Sequence, residues 1–102
     1  MSEADIFYAN LSRVSLIEAN LHRIQASDVN FTLAELNHAD LSKADMINAN
    51  FNNANLTDTN FNGANLFNAN FSNSNCYKAN LCSAELENAN LTQANFTQAN
   101  LS

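Results

Sequence analysis

The chain has 102 residues and a net charge of -6, from ten acidic and four basic side chains, a balance that argues against direct nucleic-acid binding. No basic start leads into an apolar run and no apolar stretch could span a bilayer, so no membrane association and a cytoplasmic location are expected. The length suits one domain over residues 1–102.

From Ala4 to Leu101 the chain repeats every five residues: a small residue, a polar residue that is usually Asn or Asp, a large apolar centre, and two variable positions. The centres begin Ile6, Leu11, Leu16, Leu21 and end Leu86, Leu91, Phe96, Leu101. The least regular stretch is Val14 to Val29, where Ile24 stands at a small position and Ala26 at a centre. These two form a matched swap, because a large residue two positions early fills the volume that the small centre vacates, and no ligand pocket is required. Farther along, Gly63 is the only glycine and proline is absent, so Asn48, Asn53, Asn68, Asn73 and Asn88, each last in its repeat, are the expected left-handed corner residues. Cys76 is a centre and should point inward, whereas Cys82 follows a centre and should point out, an arrangement that does not predict a disulfide.

Neither common period accommodates this pattern. On a helix, apolar positions spaced two and three apart scatter around the cylinder. On a straight strand, Ala9 and Leu11 would share a face while Val14 and Leu16 would fall on the other. The spacing works if the chain turns a corner in each repeat, so that successive small-x-large triplets line one interior and stacked segments satisfy each other's backbone groups. Regular apolar centres also argue against disorder, despite the Asn-rich composition.

Ala39-Asp40-Leu41-Ser42-Lys43 and Ala89-Asn90-Leu91-Thr92-Gln93 are clean copies of a motif that resembles the pentapeptide-repeat family, and the resemblance covers essentially the whole chain. It implies an all-β fold, a right-handed quadrilateral parallel β-helix with four repeats to a coil of twenty residues. The chain would then make about five coils, roughly 24 Å tall at a spacing of about 4.8 Å. The Asn-rich repeats also resemble those common in cyanobacteria and other bacteria.

With that lag, residues twenty apart stack in columns. Leu11, Phe31, Phe51, Phe71 and Leu91 would share an interior column, and Asn10, Asn30, Asn50, Asn70 and Asn90 an uninterrupted amide ladder of structural purpose. His22, Arg23 and Lys43 would gather near one corner, with Asp5, Asp45 and Glu85 aligned on the following face. Outside, Phe7, Ile47 and Phe67 would lie in one column, interrupted by Ser27 and ended by Glu87, with Tyr8 beside them. Ile17 and Tyr77 would share another.

Catalytic, cofactor and metal sites are not expected. His22 and His38 fall on different corners, away from the cysteines, and the carboxylates lie on open surface without a pocket to shift a pKa. Three roles compete. An interaction scaffold would present Phe7, Tyr8, Ile47 and Phe67 to an unidentified protein partner. The resemblance also implies a DNA mimic of type II topoisomerases such as gyrase, for which -6 is sparse beside the roughly 14 charges of an equal length of B-DNA. Last, an assembly unit or a piece of a longer solenoid would associate end to end, as a homo-oligomer, through Leu86, Leu91, Phe96 and Leu101.

Overall fold

The computed structural model describes residues 2–102. Parallel bridges join residues twenty apart without a break, from Asp5↔Gln25 to Asn80↔Asn100. The chain therefore winds as a four-sided coil of four repeats, and the bridged columns define its faces. Face 1 carries Asp5, Gln25, Asp45, Asn65 and Glu85; face 2 the column from Asn10 to Asn90; face 3 that from Ser15 to Asn95; and face 4 that from Asn20 to Asn100.

A repeat with a coil on both sides and Asn or Asp before its centre disposes of its five N–H groups in one way, seen in the repeat of Phe51. Asn50 N–H donates to Val29 O of the preceding coil (3.0 Å), and Phe51 N–H to Asn70 O of the next (2.7 Å). Asn53 N–H donates forward to Ser72 O (3.1 Å), and Ala54 N–H closes the corner on Phe51 O (2.9 Å). One donor remains, and the Asn side chain takes it: Asn52 N–H donates to Asn50 Oδ1 at 2.9 Å. Such Asx turns satisfy a backbone group that no coil neighbour can reach.

The corner residue has φ near +60° in every repeat, from Glu3 (62°) to Gln98 (59°), with Gly63 at 68°. A single positive φ at the third residue of a turn closed by an i to i+3 hydrogen bond is the type II pattern. Asn48, Asn53, Asn68, Asn73 and Asn88 are left-handed as expected, but so are Tyr8, Arg13, Leu33 and Lys43. Asparagine is thus not a requirement. What the corner column excludes is β-branching: it holds no Val, Ile or Thr, the side chains that suffer most at positive φ.

Centres and small residues from Leu21 to Leu81 form one continuous core. Phe31, Phe51 and Phe71 stack along face 2 with centroids 5.5 and 5.0 Å apart, set by the spacing of the coils. Phe61 enters from face 4 and meets Phe51 and Phe71 edge-on, at 5.6 and 5.8 Å. Ile24 and Ala26 are both fully buried, as a matched swap requires. Two small positions hold hydroxyls, and both are satisfied: Thr59 Oγ1 donates to Leu36 O (2.8 Å) and Ser74 Oγ to Phe71 O (2.7 Å).

A valine forced into a corner has no relief from strain. Asn53→Val is expected to cost about 1–3 kcal/mol in chemical denaturation, whereas Asn53→Gly, which also removes the side chain, should stay within about 0.5 kcal/mol of the parent.

Candidate protein-interaction surface

Only two side chains per repeat, those after the centre, are free of the coil. On face 1 these bring together the residues singled out in the sequence. Phe7, Ile47 and Phe67 share a column with Ser27 and Glu87, since their preceding residues are bridged in that order. Phe7 is 45% exposed, Phe67 38% and Tyr8, at the adjoining corner, 79%; Ile47 is half-buried. Ile17 is exposed on face 3, in the same column as Tyr77. Leu33, at the corner after face 2, is 41% exposed and was not among the expected apolar surface residues, although its place in the repeat assigns it outward.

Carboxylates border the apolar column. Asp5, Asp45 and Glu85 run beside it on face 1, Glu87 ends it, and Asp28 stands at the corner on the other side. Asn68 Nδ2 donates to Asn48 Oδ1 (2.7 Å) and Asn48 Nδ2 to Asp28 Oδ1 (3.1 Å), so a chain of amides points its donors at that carboxylate. Asp45 Oδ1 receives Ser27 Oγ–H at 3.3 Å.

The amide ladder on face 2 is less continuous than expected. Asn30 Nδ2 donates to Asn10 Oδ1 at 3.3 Å, but the oxygens of that column are directed chiefly at their own turns, as in Thr32 N–H to Asn30 Oδ1 (2.9 Å) and Ser72 N–H to Asn70 Oδ1 (2.9 Å). Rungs between amides recur on face 4, from Asn80 to Asn60 (3.3 Å).

One polar constellation was not legible from spacing. On face 4, Arg23 Nε–H donates to His22 Nε2 (3.1 Å), His22 Nδ1 lies 2.7 Å from Ser42 Oγ, and Ser42 Oγ–H donates to Asp40 Oδ1. Because Arg23 can only donate, Nε2 must accept and Nδ1 carries the proton. The Ser42 proton therefore points at Asp40, and His22 donates to Ser42 instead of withdrawing a proton from it. That polarity is the reverse of a serine nucleophile with a histidine base. Elsewhere His38 approaches Asp58 at 3.8 Å on an exposed corner, an ion pair worth little.

Both cysteines are free. Burial pushes the Cys76 thiol up to about 11, only partly opposed by its contact with Ser74 Oγ at 3.3 Å. Cys82 is half-buried in the outward position. On the last coil Leu86 and Phe96 are half-buried, while Leu91 and Leu101 are 41% and 57% exposed.

The pentapeptide repeat family model matches residues 1–32, 34–73 and 74–102 in eight copies. The chain belongs to the pentapeptide repeat family. Its fold is the right-handed β-helix of that family. Among solved structures it is similar to HetL, a pentapeptide repeat protein involved in heterocyst differentiation regulation from the cyanobacterium Nostoc sp. strain PCC 7120, with 30% identity and a TM-score of 0.93. That match covers 97% of this chain and 47% of HetL, so the chain spans about half of HetL's length. A thylakoid-lumen pentapeptide repeat protein of Arabidopsis thaliana is 25% identical with a TM-score of 0.68, over 94% of this chain and 63% of its own. Rfr23 from the cyanobacterium Cyanothece 51142, 24% identical over 94% of this chain and 86% of its own, shares the fold with a TM-score of 0.63. No curated protein matches the chain.

The thiols differ enough to test the core directly. At pH 8 a maleimide should label Cys82 in the folded protein and reach Cys76 only in denaturant, as read by mass spectrometry. Since the folded pKa of Cys76 lies above its usual 9.0, the Cys76 contribution to stability should be constant below pH 9 and be lost between about pH 9 and 11, and Cys76→Ala should flatten that decline.

Proposed function

We propose that the chain is a non-catalytic protein-interaction module that presents face 1 to a partner protein. The observation carrying this reading is the column of exposed Phe7 and Phe67 with half-buried Ile47 between them and Tyr8 at its corner, because the coil itself has no use for apolar side chains there. A rigid ladder holds such side chains at a fixed spacing and loses little entropy on docking. The regulatory involvement of HetL, which shares the fold, is in keeping with such a role. Replacing Phe7, Tyr8, Ile47 and Phe67 together by Ala should abolish in-cell cross-linking to the partner captured by the parent chain while leaving the thermal transition intact. Retention of the same cross-linked partner would exclude face 1 as the interface.

A further inference from the structure

We propose that face 1 recognises an arginine-bearing basic segment of its partner, with the arginine seated over Ser27 between Phe7 and Ile47. This rests on face 1 being the interaction surface, and it specifies what that surface takes.

The column reads Phe7, Ser27, Ile47, Phe67, so a single rung lacks a large side chain. Rungs repeat at about 4.8 Å, which sets Phe7 and Ile47 about 10 Å apart, the room for one intervening slab. Inside the coil the same spacing is filled by stacked rings, as where Phe31, Phe51 and Phe71 follow one another at 5.5 and 5.0 Å. On the outside, the same gap is open to a planar group from another molecule.

Charge identifies its chemistry. Asp5, Asp28, Asp45, Glu85 and Glu87, five of the ten acidic residues, lie on this face and its Tyr8 corner, whereas Arg23 and Lys43 stand at the opposite corner, beyond the Gln25 and Asp45 column, and Arg13 and Lys78 lie on other corners. Three of those carboxylates surround the Ser27 rung: Asp28 within it, Asp5 on the coil before and Asp45 on the coil after. Each uses Oδ1 for a turn or ladder bond: Asp5 accepts from Phe7 N–H, Asp28 from Asn48 Nδ2, and Asp45 from Ile47 N–H and Ser27 Oγ–H. Among the described residues their Oδ2 atoms carry no bond, and they can accept from a guanidinium. A planar cation is suited to this place, because its face can lie on the Phe7 ring while its edge donates to carboxylates. Its aliphatic stem then covers Ile47. Lysine offers the charge without the slab.

The column also supplies its own control. Phe stands at both Phe7 and Phe67, so Ser27→Phe places in the vacant rung a residue that the same column already tolerates. The probe is the peptide acetyl-Leu-Arg-Leu-Arg-Leu-amide, titrated into the 15N-labelled chain, with citrulline in place of arginine as the uncharged isostere. Binding should shift the amides of Phe7, Ser27, Asp28, Asp45 and Ile47, and should weaken at least tenfold with the citrulline peptide and at least tenfold in Ser27→Phe. Equal affinity for the citrulline peptide would overturn the arginine assignment while leaving face 1 as an apolar interface. Shifts scattered over Glu18, Glu35 and Asp58 would show diffuse charge attraction and overturn the site, as would no shift on face 1 at millimolar peptide. Concentration-dependent shifts of the same amides without peptide would assign the face to a second copy and also overturn it. Failure of the broader reading is separate: there, the alanine-substituted face keeps the cross-linked partner.

Discussion

A carboxamide oxygen accepting from the N–H two residues onward is the interaction on which every other feature depends. In a coil flanked on both sides, four of the five N–H groups in a repeat are bonded to the main chain whatever the sequence, but the fifth faces the side of the coil where no backbone acceptor exists. An Asn or Asp before the centre reaches it, and the chain can then turn every five residues without leaving a donor unpaired. The preference for Asn over Asp follows from stacking. Like charges about 4.8 Å apart would repel by roughly 1 kcal/mol even in bulk water, and no two Asp residues are consecutive in any column: Asp40 lies between Asn20 and Asn60, and Asp45 between Gln25 and Asn65. Four repeats depart from the rule, with Ser15, Gln25, Glu35 and Glu85 in that position, and none of these side chains caps its turn. In the Glu35 repeat, Asn37 Oδ1 is also buried without a donor, so the irregularity extends to the next residue but one.

Once each turn is closed, the rest is assigned by geometry. Centres and small residues meet inside, rings stack at the coil spacing, and the corner adopts positive φ in residues as different as Leu33, Lys43 and Asp58. The ladder bonds on either side of the corner hold that conformation, which is why side-chain chemistry there is nearly free. Function is confined to the same freedom. A fold that uses three positions in five for its own construction leaves outward columns as its means of recognition, and face 1 is the column where apolar and acidic side chains adjoin.

The five-residue period, the inward Cys76, the Ile24 and Ala26 exchange and the alignment of Phe7, Ile47 and Phe67 could all be read from the residues once the coil length was known. That length came from the resemblance, because a corner every five residues does not itself say how many corners close a turn. The breadth of the left-handed corner was hidden since Tyr8, Arg13 and Leu33 carry no local signal for positive φ; hydrogen bonds between coils impose it. The face 2 amides were expected as an uninterrupted ladder, yet their oxygens are spent chiefly on turns, a competition between two acceptor uses that composition cannot resolve. The chain from Arg23 through His22 and Ser42 to Asp40 depends on rotamers across neighbouring coils, and the outward residues follow no period at all.

Amide hydrogen exchange resolved by NMR tests the central role of the Asn cap most directly, because capped and uncapped turns occur side by side in the same coil. Thr32 and Ser42 N–H, bonded to Asn30 and Asp40, should be protected, whereas Ser27 and Asn37 N–H, which follow Gln25 and Glu35, should exchange at least tenfold faster. Equal protection at all four amides would contradict the account, since the side-chain oxygen would then not be what satisfies the turn.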